Sequence, residues 1–436
     1  MSGSLLRTLA VAAVLVLAAG GALPRGQTAR VIVLDHARVI DGTGAPPRDD
    51  MQIVLRGDRI EAVRPAAVPA DLPAGAERID LSGRTVMPGL IDLHFHIERD
   101  PKLAIRQLAN GVTSFRDPGQ WIDQFDSLKE MMRSEQLAGP RMSLAGPHID
   151  GEHPAYPLDS YVARDPDEAR LAAERNIADG ATALKIYFRL PLASAMAVVR
   201  VCQAHQVTCT AHLEILDARD LLRAGLAGIE HITSFGTSVV SFRRAEQYRQ
   251  AVLANNNARS DGRYALFAEA DLAGVEAQRL YDVLERTHPF VNPTLAVFEV
   301  RAGTTREGSK QDPAIDLKGY AQMKALTLAA FQHGARITLG GHSTVPFAGR
   351  GEAPWRELEL LVESGLTPLQ AVTAATGTSA ASLGRPGADV GTIEPGKLAD
   401  LLVLPQDPSR DIHAIRTVER VMSGGRWVDV ARYRRW

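Results

Sequence analysis

Short apolar strands alternate with helical stretches from about residue 87 to residue 385, and few architectures satisfy that rhythm. Strands are expected to end near Asp92, Phe115, Ala145, Tyr187, His212, His231, Pro293 and Gly340. The stretch DARDLLRAGLAG shows the helical half of the unit, with apolar residues at helical spacing and a closing glycine. Eight such units predict an α/β fold, a (β/α)8 barrel over residues 87–385. The connection from about Gly236 to Arg286 is long for one crossover and predicts an insertion over the barrel mouth.

The flanks have a different texture. RVIVLDHARVIDG, QIVLRGDRIEAVRP and ERIDLSGRTVMPG are rich in Val and Ile and broken by turn residues, and GKLADLLVL and TVERVMSGGRWV repeat the style at the other end. Residues 30–86 and 386–436 are therefore expected to build one small β-sandwich from both termini. Ahead of them, Arg7, an apolar run from Leu9 to Ala19 and the small residues Gly20, Gly21 and Ala22 read as an export signal over residues 1–22. The run is short for a membrane span, so the expected mature protein is exported, periplasmic or secreted, with no membrane association after cleavage. Cys202 and Cys209 are read as two unpaired buried thiols, although export would permit a disulfide.

Composition excludes little beyond one class. Across 436 residues, 45% are hydrophobic and 23% charged, with a net charge of −2. That balance lacks the basic footprint of a nucleic-acid partner and fits a small-molecule substrate, with homo-oligomerisation left open.

The strand ends carry the chemistry. GLIDLHFHIE places His94 and His96 two apart, on one side of an extended chain. With 12 histidines in the chain, such a pair arises by chance about once in three sequences, so it needs context. GATALKIYF buries Lys185 in an apolar run, where desolvation favours the neutral amine; a lysine snorkelling outward is the bland alternative. VTCTAHLE ends at His212, LAGIEHITSFG reaches His231, and RITLGGHSTVPF turns sharply into His342. Singly each histidine reads as a hydrogen-bonded core residue; their order along one barrel does not arise easily by chance. Tyr187 shares the Lys185 face and is either an oxyanion donor or barrel packing. Arg189, two further on, is either a carboxylate clamp or a surface ion pair. The segment GPHIDGEHPAYP should lie at the mouth, making His148, Glu152, His153 and Tyr156 candidates for the pocket lining.

In order along the chain, VMPGLIDLHFH, GVTSFRD, GPRMSLAGPHIDG, LKIY, AGIEHI, NPTL, LTPLQAVTAATGTSAASLG and VGTIEPGKLADLLVL resemble the metal-dependent amidohydrolase superfamily, in its imidazolonepropionase-like and prolidase-like branch. The resemblance covers nearly everything after the signal. It implies a distorted TIM barrel beside a β-sandwich. It also implies two divalent metal ions, with zinc suited to the donors. One would be held by His94 and His96, the other by His212 and His231, with Lys185 carbamylated by carbon dioxide and bridging both. A metal-bridged hydroxide would then attack an amide in a dipeptide, an N-acyl amino acid or an amide-linked aromatic compound. Ester, lactone or phosphotriester hydrolysis, and metal binding without turnover, are the competing readings.

One position departs from the pattern. The superfamily resemblance implies aspartate at the end of the eighth strand, where this chain has His342. A neutral imidazole there leaves the centre one charge more positive, which disfavours the imidazolium. His342 is thus expected to act as a base or as a metal ligand, not both through one nitrogen, or else to turn away and cap the turn.

Overall fold

The computed structural model describes residues 30–69, 71–97, 100–134 and 139–435. The export signal expected over residues 1–22 lies outside the described residues. Among the described residues, no helix is long and apolar enough to cross a membrane.

The first strands meander. β1 (Val31–Val39) pairs antiparallel with β2 (Arg48–Arg56), which turns at Gly57, in the left-handed region at φ 64°, into β3 (Arg59–Pro65). β4 (Glu77–Asp80) and β5 (Thr85–Pro88) lie parallel to β1.

Parallel pairing then takes over. β6 (Leu90–Asp92), β7 (Val112–Asp117) and β8 (Arg141–Leu144) form one three-stranded sheet. A seven-stranded sheet follows. It holds β9 (His148–Asp150), β10 (Ser160–Val162), β11 (Ala183–Ile186), β12 (Thr208–Ala211), β13 (Gly228–Glu230), β14 (Phe290–Asn292) and β15 (Arg336–Ile337), in the order β10-β9-β11-β12-β13-β14-β15. Every pairing in both sheets is parallel. The strands are short and almost wholly buried, as parallel strands covered on both faces must be. Backbone hydrogen bonds link the two sheets where their strands end. Leu93 N donates to Leu339 O at 2.8 Å, His342 N donates to His94 O at 2.8 Å, and Thr182 N donates to Leu144 O at 2.9 Å.

Most of the expected strand ends coincide with observed ones. The segment GPHIDGEHPAYP differs, because its first part is the strand β9 rather than loop. Ile149 between His148 and Asp150 is fully buried and pairs with Ile186, so a buried apolar residue draws the mouth segment into the ladder. The long connection is helical: a 3-10 segment (Ile232–Ser238) and three helices, Phe242–Ala254, Arg259–Glu269 and Val275–Thr287. The second of these packs closely on the helix Pro313–Gln332, where a Cβ on Gly319 would meet Tyr264 O at 2.3 Å. That contact holds the helix Arg259–Glu269 in place.

The C-terminal strands return to the first sheet. β16 (Leu401–Leu404) pairs antiparallel with β5, and β17 (Arg420–Ser423) and β18 (Arg426–Trp427) extend it. The hydrogen-bonded path is one mixed sheet of eight strands drawn from both ends of the chain. It has its own apolar core, including Ile32, Leu34, Ile53, Val86, Leu401 and Met422. Cys202 and Cys209 are both free and buried.

Candidate functional site

The ends of the parallel strands converge on a cavity of about 380 Å³, lined by His94, His96, Lys185, His212, His231 and His342 among others. Local backbone geometry aims the first pair. Leu93 and Phe95 are fully buried in apolar clusters, and His94 and His96, just past the end of β6, both line the cavity. Asp92 Oδ1 accepts the backbone N–H groups of His94, at 3.0 Å, and Gly341, at 2.9 Å, which ties the first and last parallel strand ends together. Burial pushes the Asp92 carboxyl up to about 6.

Each ring is held from behind. His94 Nδ1 donates to Glu230 Oε2 at 2.7 Å, and Glu230 is itself gripped by the buried Arg116. His212 Nε2 donates to Glu214 Oε1 at 2.8 Å. His231 Nδ1 lies 2.6 Å from Thr294 Oγ1, whose proton goes to Pro293 O at 2.8 Å. Nδ1 of His231 must therefore be the donor, which leaves its lone pair on Nε2. His96 Nδ1 stands 3.3 Å from Asp117 Oδ1. The opposite nitrogens of several rings are left over: His94 Nε2, His212 Nδ1 and His342 Nδ1 are buried without hydrogen-bond partners.

Burial, reinforced by neighbouring cations, keeps four of these rings neutral. It lowers His94 and His231 well below the usual histidine range and His212 and His342 to about 3. Lys185, 1% exposed, is lowered to about 8 by the same desolvation. Neutral imidazoles with unshared lone pairs aimed into one cavity are the donor set a divalent cation takes. Ligand atoms of His94, His96 and His342 already lie within 4.8 Å of one another. The residues therefore fit a metal.

His342 turns inward. Its ring lies 5.3 Å from that of His94, nearly parallel, and 5.4 Å from that of His96. His231, Thr294 and His342 all adopt positive φ, at 63°, 49° and 61°. Left-handed backbone is uncommon outside glycine, and its clustering at strand ends marks a site where local strain is held by the surrounding structure.

The other expected residues divide. Tyr187 lines the cavity, stacked on His148 with ring centroids 4.4 Å apart and edge-on to His212 at 4.9 Å; burial pushes its phenol above the ordinary tyrosine range. Tyr156 and His148 also line it. His153 and Glu152 do not, and face a separate shallow depression with Arg164. Arg189 is turned away as well. Its guanidinium donates to Glu152 O at 2.8 Å, Val252 O at 3.2 Å and Asn256 Oδ1 at 2.6 Å. The expectation for Arg189 extended the two-residue alternation past Ile186, where β11 ends, and alternation holds only while the backbone is extended.

Sequence reasoning missed four charged residues. Glu230 and Glu214 had a signal, one beside His231 and the other two after His212. Arg259 and Arg263, four apart on the insertion helix, share a face and reach the cavity. Arg263 Nε donates to Glu214 Oε1 at 2.7 Å, and Tyr248 from the preceding helix bonds the other oxygen. Burial alone would raise Glu214, but Arg263 and His212 outweigh it and hold the carboxylate at about 2.

Residues 322–428 match the model of the amidohydrolase family. Ochratoxinase from Aspergillus niger is 23% identical over 91% of this chain and 86% of its own length. Adenine deaminase 2 from Bradyrhizobium sp. is 33% identical over 93 residues, and this match spans 20% of the present chain and only 16% of the deaminase. Among solved structures, a Xaa-Pro dipeptidase with bound methionine superposes with a TM-score of 0.69 at 22% identity, covering 91% of this chain and 99% of the dipeptidase. That likeness is one of fold.

Proposed function

We propose that the chain, whose residues 322–428 match the amidohydrolase family, is a member of the metal-dependent amidohydrolase superfamily and an exported binuclear hydrolase that cleaves an amide bond in a small substrate. The observation that carries this reading is the set of inward nitrogens without partners beside a buried lysine whose pKa is lowered to about 8. His94, His96, His212 and His231 would hold two divalent cations, zinc by donor type, with Lys185 as a carbamate between them. When bound, such cations supply a Lewis acid and lower the pKa of water.

The chain's own groups do the rest. Glu230, Thr294 and Glu214 fix the tautomers of His94, His231 and His212. Tyr187 keeps its proton and can donate it as a hydrogen bond to the substrate carbonyl oxygen. His342 is neutral, and its free Nδ1 takes a proton from the attacking water and returns it to the nitrogen of the leaving amine. A ring with so low an affinity holds that proton only in passing. A second role for His342 is favoured by its closeness to His94 and His96: ligation through the same nitrogen, which would exclude the shuttle. In the same reading the two parallel sheets form a distorted barrel, and the terminal sheet folds into a sandwich beside it.

The substrates are dipeptides, N-acyl amino acids or amide-linked aromatic compounds, and the test is a panel. Zinc-loaded full-length protein is offered pooled dipeptides, N-acyl amino acids, esters and lactones, and products are identified by mass. Amide cleavage is expected. Turnover of esters or lactones alone would move the reading to esterase chemistry, and tight metal binding without any turnover would make the chain a metal-binding homologue.

A further inference from the structure

The geometry points to Arg259 as the residue that selects the substrate: its Nη1 edge takes a free carboxylate, so the preferred amides are N-acyl amino acids and dipeptides with an unblocked C-terminus and an apolar last side chain. This rests on the amide-hydrolase reading above and narrows it.

Arg259 differs from its neighbour one turn along the same helix. Arg263 is spent on Glu214 and acts as a strut behind His212. Arg259 has no carboxylate within ion-pair distance among the described residues, and its one polar contact is Nη2 to Tyr156 Oη at 3.5 Å, the outer limit of a hydrogen bond. Nη1 is buried with no acceptor at all. The guanidinium carbon lies over two aromatic rings, 4.8 Å from the centroid of Phe188 and 5.7 Å from that of Tyr156. Aromatic faces use none of the guanidinium's N–H groups, which stay available to pair with a carboxylate through two parallel hydrogen bonds.

The other charges of the cavity are accounted for. Glu230 is paired with Arg116 and His94, and Glu214 with Arg263 and His212. Asp159, a carboxylate of the lining, makes no ion pair with Arg259. A buried donor without an acceptor is costly, and an incoming anion removes that cost. Position supports the class of anion. Lys185 Nζ lies 5.4 Å from the Tyr187 ring, Tyr187 lies 5.9 Å from Tyr156, and Arg259 lies beyond Tyr156. Arg259 thus stands one aromatic ring outward of the reacting centre, where the carboxylate of the residue just past the scissile nitrogen would project. Val297 and Phe298 line the same cavity and offer that residue's side chain an apolar surface.

The test compares zinc-loaded wild type with Arg259→Gln and Arg259→Lys. The substrates are glycyl-L-leucine against glycyl-L-leucinamide, and N-acetyl-L-leucine against N-acetyl-L-leucinamide, scored by release of the acyl part. Wild type is expected to favour the free acids in kcat/KM by about 10- to 100-fold, the range of a charge-assisted hydrogen bond. Arg259→Gln should collapse that ratio toward one, chiefly through KM, and Arg259→Lys should restore part of it. A ratio unchanged in Arg259→Gln overturns the proposal. Calorimetric titration of N-acetyl-L-leucine into each protein separates the two readings. If wild type cleaves none of the four compounds, the amide-hydrolase reading falls, and the titration alone decides Arg259: weaker binding in Arg259→Gln upholds the carboxylate site, equal binding removes it.

Discussion

The two ends of the parallel strands make different cavities from the same ladder. At the N-terminal ends, Phe290, Ile337, Phe331, Leu366 and Leu369 line a groove of about 610 Å³ whose one cation, Arg336, lies 3.6 Å over the Phe290 ring. At the C-terminal ends the cavity is smaller, about 380 Å³, yet it gathers six histidines, a lysine and two arginines. Size therefore does not mark the site. The smaller cavity is marked by polar atoms kept buried without partners and by histidines held in left-handed backbone, arrangements that cost stability and persist only where the surrounding packing enforces them. The larger groove shows the stabilising end of such a fold, the smaller one its chemical end.

The strongest challenge to this contrast is Lys185→Ala. It should lower kcat more than about 100-fold, beyond what loss of an outer-shell partner costs, and release at least one of two metal equivalents. Metal analysis showing both retained at wild-type affinity would remove Lys185 from the centre. His342→Ala comes next, with a fall in kcat of about 100-fold, the lower range for a general acid–base group, and partial recovery in His342→Asp. Wild-type rates in the alanine variant would return His342 to a turn-capping role.

At the opposite end, Leu366→Ala should cost about 2–5 kcal/mol of stability by opening a cavity, while the kcat of the folded protein stays at the wild-type value. A kcat that falls with it would mean the two ends are coupled. The smallest effect is a pH dependence. Glu357 accepts the N–H groups of Leu295 and Ala296, in the turn that carries Val297 and Phe298 to the cavity, and burial raises its carboxyl from 4.5 to about 8. The folded protein thus keeps a proton that the unfolded chain releases, so this contribution is complete below pH 4.5 and lost as pH rises through 8. The unfolding midpoint of wild type, referred to Glu357→Gln, should fall across that window. A constant difference would show that Glu357 is ionised in the fold.

Much of the site was legible because it is written locally. His94 and His96, two apart just after a short apolar strand, both reach the cavity, and His212, His231 and His342 each follow such a strand. Two-residue alternation failed for Arg189, beyond its range, because β11 stops at Ile186. His148–Asp150, expected only at the mouth, is strand, since pairing with Ile186 depends on a residue nearly forty positions away.

The sequence by itself determined the alternating parallel architecture and the order of candidate metal-binding residues along it, because the direction of a side chain from a strand follows from the backbone of its immediate neighbours. Only the tertiary structure decided which charges are used up and which are left. Arg116 meets Glu230 across 114 positions, Arg263 meets Glu214 across 49, and Arg259 meets no carboxylate. Two arginines one helical turn apart read alike in sequence. Their partners come from packing between segments far apart in the chain, and no local period encodes that.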